Sequence, residues 1–123
     1  MPKRGTLRQA FGWAFSGVAY VIRTQRNMRI HLVVAVLAVA LGLILHLNVL
    51  EWVAVLVCIA LVWGTEMLNT AIEVLVDLVT PDYHEKAKAA KDIAAGVTLI
   101  FVILSVVVGL IVYTQALLRL LGQ

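Results

Sequence analysis

Apolar positions follow two different patterns along the chain. From residue 7 to 22 they recur three and four apart, at Leu7, Phe11, Ala14, Phe15, Val18, Val21 and Ile22, while Arg4, Arg8, Gln9 and Ser16 fall largely elsewhere on a helical wheel. That spacing predicts an amphipathic helix over about 5–26, lying along a membrane surface with Trp13 and Tyr20 at headgroup level. Beyond it the periodicity gives way to uncharged runs of 19 residues at 32–50, 14 at 52–65 and 26 at 93–118. A helix crosses about 30 Å of hydrocarbon with about 20 residues, so the first and third runs qualify alone. The second qualifies only by continuing through Glu66, Asn69 and Glu73 before the Pro81-Asp82 turn signal. The predicted spans are about 30–48, 51–77 and 90–119. Carboxylates inside a span are costly in lipid, so the second span is where function is sought.

Composition narrows the class. The chain has 123 residues, 63% hydrophobic and 14% charged, with mean hydropathy +1.00. A soluble domain, a disordered tail, a disulfide scaffold (there is one cysteine) and a multi-domain enzyme are excluded. The expectation is an all-α membrane protein forming a single domain over 1–123. Its first 30 residues do not read as a signal peptide, because the apolar run comes late and no small-residue cleavage site follows.

Charge then orients the spans. Lys3, Arg4, Arg8, Arg23, Arg26 and Arg29 precede the first span, and Lys86, Lys88 and Lys91 lie between the second and third. The connection at His46–Glu51 has no basic residue, and Arg119 stands alone near the end. The positive-inside rule puts the N-terminus and the second connection in the cytoplasm, and the C-terminus outside. A net charge of +3 suits anionic headgroups or phosphates. It gives no groove-sized basic surface, so nucleic acid is not an expected partner.

The candidate chemistry is concentrated on the second helix. At about 100° per residue Glu66, Glu73 and Asp77 fall within about 20° of one direction, with Asn69 and Thr70 to either side. Glu66 and Glu73 are about 10 Å apart along the axis, too far to clamp one ion but suited to two roles in one cleft. The string YHEKAKAAKD at 83–92 supplies lysines at that end. These residues would suit carboxylate-held Mg²⁺ with lysine on phosphate, an ion-paired seam that fixes register, or a channel lining. No P-loop, zinc motif or nucleophile elbow is present.

The string E-M-L-N-T-A-I-E at 66–73, V-D at 76–77 and Y-H-E-K-A-K-A-A-K-D-I-A-A-G at 83–96, with R-N-M-R-I-H at 26–31, resembles the prokaryotic diacylglycerol kinase family, which includes the undecaprenol kinases. The resemblance covers nearly the whole chain. It implies a homotrimer of three-span subunits with an N-terminal surface helix and active sites shared between subunits. It also implies residence in the bacterial cytoplasmic membrane and transfer of the ATP γ-phosphate to a lipid hydroxyl, with Mg²⁺ as cofactor. Position by position, Glu66 resembles the general base, Asn69 the nucleotide-site asparagine, Glu73 a magnesium ligand, and Lys91 and Asp92 the nucleotide-binding pair. Asp77, His84 and Lys88 are possible supporting residues. The physical order agrees: Glu66 follows the uncharged run and meets the inner hydrocarbon edge, while Glu73 and Asp77 lie toward the cytoplasm.

One position departs from the family pattern. Gln25 stands where a second metal-binding glutamate is usual. An amide oxygen ligates Mg²⁺ more weakly and without adding charge: either Glu73, Asp77, waters and phosphate oxygens suffice at higher Mg²⁺ and activity is retained, or activity is reduced, needs one ion fewer or is absent. The R-N-M-R-I-H segment looks like the undecaprenol branch, with diacylglycerol as the alternative substrate. Asp77 is expected to ligate metal or, with slight preference, to pair with Lys86 or Lys88 and hold the loop. His31 and His84 could contact phosphates, with interfacial or capping roles at least as well supported. Trp52, Trp63, Tyr113 and Cys58 read as anchors or packing residues.

Overall fold

The computed structural model describes residues 5–122, so Lys3 and Arg4 lie outside the described residues. Those residues form four helices and no strand: α1, Leu7–Thr24; α2, Arg26–Ile44; α3, Val49–Val79; and α4, Glu85–Leu120. The last three are long and apolar enough to cross a membrane. With α1 ahead of them, the chain is the all-α membrane protein its hydropathy pattern predicts.

Local chemistry explains each boundary. Thr6 and Gln9 form a reciprocal capping box at the start of α1, using two of the backbone donors that a helix leaves unpaired. Gln25 has extended backbone and divides α1 from α2, so a single helix never forms. Arg29 fixes the angle between them by donating from one guanidinium nitrogen to the carbonyls of Ile22 and Arg23 at 3.1 and 2.9 Å. This satisfies acceptors at the end of α1 and places a cation at its negative pole.

At the other end of α2, His46 adopts a left-handed conformation, φ 55°, and the Leu47 N–H reaches back to the Gly42 carbonyl at 3.1 Å. This is a Schellman stop, with histidine where glycine is usual. The turn packs closely: a Cβ on Gly42 would lie 2.8 Å from the Trp52 ring. Asn48 and Glu51 then form the capping box that opens α3. Lys86, Lys88, Lys91 and Asp92, expected in a connection, lie instead on the first turns of α4, which starts at Glu85. His84 caps that helix by accepting from the Lys86 N–H at 3.1 Å, which is its capping reading.

The α3–α4 hairpin is the frame. An apolar cluster of Leu45, Leu47, Val55, Val112 and Ala116 fills the end near the α2–α3 turn. There Arg119 donates to both Glu51 oxygens, at 2.7 and 3.3 Å, and the Tyr113 hydroxyl donates to the Ala38 carbonyl at 2.6 Å. The opposite end is held by Asp77 and Lys91. Outside this frame most large apolar side chains are exposed, including Leu7, Phe11 and Phe15 on α1 and Val33, Leu37, Ile100 and Leu110 on the spans. In water such a surface would aggregate; it suits lipid or neighbouring subunits.

Candidate active site

The polar end of α3 carries a gradient of burial. Glu66 is 2% exposed, Asn69 and Thr70 are buried, Glu73 is half-buried and Asp77 is exposed. The gradient follows from position: Glu66 is covered by packed helices, whereas Asp77 is about 16 Å further toward the α3–α4 turn. The shared face expected of the three carboxylates is therefore divided among different neighbours.

Glu66 meets α2. Its Oε2 lies 3.8 Å from His31 Nε2, beyond hydrogen-bond distance but close enough for electrostatic coupling. The carboxyl group makes no hydrogen bond within the chain among the described residues. Thr70 spends its hydroxyl on the Glu66 backbone carbonyl, at 2.9 Å. Beside it the Asn69 Oδ1 is buried without a hydrogen-bond partner among the described residues. Burying an unpaired amide oxygen costs about 1–3 kcal/mol, so this end of the helix holds polar groups that the chain itself does not satisfy.

Asp77 meets α4, and here the expectation is corrected. It pairs with Lys91 at 2.5 Å and not with Lys86 or Lys88, because Lys91 lies on the α4 face turned to α3. Lys88 points to Asp92 one turn on, at 2.6 Å. Lys91 and Asp92, adjacent in sequence, thus have different partners. Asp77, His84, Lys88 and Lys91 line one open cleft of about 360 Å³ at the α3–α4 turn, with Tyr83 and Thr80. Glu66, Asn69 and Glu73 do not line it. Four candidate residues are brought together there; Glu66, Asn69 and Glu73 lie deeper along α3, Asp92 is on α4 and Gln25 is at the α1–α2 junction.

Glu73 follows Asn69 by one turn, so both fall on one side of α3. Gln25 is half-buried at the α1–α2 junction, and its side chain makes no capping hydrogen bond. Among the described residues no three His, Cys, Asp or Glu side chains converge on a metal position.

From His31 a narrow cavity of about 120 Å³ runs between α2, α3 and α4 to Tyr113, past Ala35, Cys58 and Val62. Its lining is almost wholly apolar, and it ends at His31, the side chain that faces the Glu66 carboxylate.

Several of these features escape a reading of residues alone. Arg29, Arg119 and Tyr113 act over separations of 6 to 75 residues. Thr98 on α4 is buried with its hydroxyl unpartnered among the described residues, and a lone threonine in an apolar run carries no signal. The His31–Glu66 approach had a partial one: a carboxylate inside a span needs a partner on another helix, and His31 is the polar residue at the start of the first long apolar run.

Comparison with known proteins bears directly on this arrangement. The family model for prokaryotic diacylglycerol kinase matches residues 12–113. An undecaprenol kinase of Bacillus subtilis is 37% identical over 105 residues, 85% of each chain. A diacylglycerol kinase of Synechocystis is 44% identical over 101 residues, covering 81% of this chain and 58% of that protein. The diacylglycerol kinase of Escherichia coli K12 is 30% identical over 99 residues, 80% of this chain and 81% of that protein. The matched region runs from within α1 through most of α4 and includes Glu66, Asn69, Glu73, Asp77, Lys91 and Asp92, and the chain belongs to the prokaryotic diacylglycerol kinase family.

Proposed function

We propose that this protein is an ATP-dependent lipid kinase that transfers the γ-phosphate to the hydroxyl of undecaprenol at the cytoplasmic face of the bacterial inner membrane. The observation that carries the proposal is Glu66: a buried carboxylate with no hydrogen bond among the described residues, 3.8 Å from the His31 that lines one end of an apolar cavity. Such a group is held ready for a proton that arrives with a ligand. A lipid alcohol anchored by its tail in hydrocarbon delivers its hydroxyl at that depth, and Glu66 takes the proton as the oxygen attacks phosphorus.

The other residues follow in order along the membrane normal. Asn69 offers its unpartnered amide oxygen, and Glu73 its carboxylate, one turn apart. Mg²⁺ takes oxygen donors and keeps most of its shell for water and phosphate, so this pair fits it without a three-carboxylate cluster. Bound there, the ion would offset the charge of the nucleotide phosphates. Gln25, if turned toward it, adds an oxygen but no charge. Lys91 leaves Asp77 for phosphate oxygens when nucleotide enters the turn cleft, and Asp92 lies beside it. His84 and Lys88 line the same cleft and support that binding.

A cleft of this size on one subunit is too open to surround ATP. The exposed apolar faces of the helices suit a homotrimer whose neighbours complete each site. With the positively charged end of the bundle inside, the N-terminus is cytoplasmic and the C-terminus outside.

Undecaprenol is preferred because the kinase of B. subtilis that acts on it matches over 85% of both chains, and because of the segment R-N-M-R-I-H. Diacylglycerol is the second reading, favoured by the 44% identity to the Synechocystis enzyme. The test is ATP-dependent phosphorylation by purified protein in mixed micelles, with undecaprenol and dioleoylglycerol side by side across a Mg²⁺ titration. Undecaprenyl phosphate in clear excess supports the proposal, and phosphatidic acid in excess supports the second reading. No lipid product at any Mg²⁺ concentration overturns both.

A further inference from the structure

Resting on the lipid-kinase reading, we propose that His31 is the positioning residue for Glu66 and the outlet for its proton. A base used in every turnover must be emptied in every turnover. Glu66 is badly placed to do this itself, since its side chain is 3% exposed while that of His31 is 18% exposed. His31 is therefore the better-hydrated member of the pair, and its imidazole is the one basic nitrogen within 4.0 Å of the Glu66 carboxylate among the described residues.

The other titratable groups around the pair are committed or remote. Glu73 lies on α3 about 10 Å further along the axis. Cys58 on α3 and Tyr113 on α4 border the same cavity deeper in the membrane, and the Tyr113 hydroxyl is held by Ala38. On α2 itself, Arg29 is turned to the carbonyls of Ile22 and Arg23. Lys91 is held by Asp77.

The acceptor O–H gives its proton to Glu66 while its oxygen forms the new bond to the γ-phosphorus and the bond from that phosphorus to the bridging oxygen of ADP breaks. The proton then passes from Glu66 Oε2 to His31 Nε2, and from the imidazolium to cytoplasmic water, which restores both side chains. The separation of 3.8 Å is closed by a small side-chain rotation or by one water. Between turnovers the same imidazole, which lines one end of the apolar cavity, keeps the carboxylate beside it, where the acceptor hydroxyl arrives.

The experiment compares wild type, Glu66→Gln, His31→Asn and His31→Ala in lipid micelles, with kcat and KM measured from acid to alkaline pH and with or without added imidazole. Size-exclusion profiles establish that each variant assembles like wild type. The expected result for His31→Asn is a fall in kcat of about 10- to 100-fold, with KM for lipid and ATP changed by no more than about twofold, and loss of one limb of the pH profile. Added imidazole should restore a substantial part of the His31→Ala rate and none of the Glu66→Gln rate. Unchanged kcat and pH profile in His31→Asn would overturn the proposal. So would a loss that imidazole does not recover and that leaves the profile's shape intact, which is the signature of packing alone. If wild type phosphorylates no lipid, the kinase reading fails and the proposal with it; an active wild type, a silent Glu66→Gln and a normal His31→Asn fail the proposal alone.

Discussion

α3 buries two glutamates, one in its first turn and one near its middle, and the helix treats them in opposite ways. Near the α2–α3 turn, Glu51 accepts from Arg119 through both oxygens and caps the Asn48 N–H. Tyr113 and Asn48 are likewise satisfied within the chain. Further toward the α3–α4 turn, among the described residues, Glu66 has only a histidine beyond hydrogen-bond distance, and Asn69 has no partner for its amide oxygen. Buried charge that is fully paired supports register and architecture, while buried charge left underpaired waits for something to bind. One helix thus separates a structural end from a reactive end.

That contrast can be broken by substitution. The largest effect is expected from Glu66→Gln, which should cut turnover by about 10²–10⁴-fold while leaving the thermal midpoint unchanged or raised, because it removes a buried carboxylate that no hydrogen bond satisfies among the described residues. A turnover assay and a melting scan on the same sample check it. Next comes Asn69→Ala. Removing an unpartnered oxygen should not destabilise the chain, yet nucleotide-dependent turnover should fall by about tenfold or more, with a higher Mg²⁺ requirement.

Smaller effects sharpen the comparison. Asp77→Asn frees Lys91 from an exposed pair, and such pairs contribute little stability, about 0–1 kcal/mol. The expected change is a melting point close to wild type and KM for ATP altered by no more than about threefold in either direction. At the structural end, Arg119→Ala should do the reverse of Glu66→Gln. It strands Glu51, so the melting point drops, while turnover well below that temperature stays within about twofold of wild type. The smallest effect is at His46, where glycine fits the left-handed turn; His46→Gly should raise the melting point slightly and leave turnover unchanged.

Much of this architecture is legible in the residues themselves. The uncharged runs give three spans, and the apolar spacing at 7–22 gives α1, because hydrocarbon imposes helix wherever the chain crosses it. The helix ends were less legible. Glu85–Asp92 reads as a loop by charge, but Glu85 in the first turn and the His84 cap make it helical, and water at the membrane edge tolerates its lysines. The candidate carboxylates were visible from their spacing on α3. Their partners were not: Asp77 with Lys91 rather than Lys86 or Lys88 depends on how α4 is rotated about its axis, and Glu51 with Arg119 depends on the register of the whole hairpin. Helical periodicity gives the face a residue occupies and leaves the opposing helix unspecified.

The most direct test of the contrast between the two ends sets Glu66→Gln against Glu51→Gln, measuring turnover and melting point for both in the same micelles. The account predicts that Glu66→Gln abolishes phosphoryl transfer with its fold intact, and that Glu51→Gln keeps phosphoryl transfer but melts earlier. A Glu66→Gln protein that still phosphorylates lipid at the wild-type rate would contradict it.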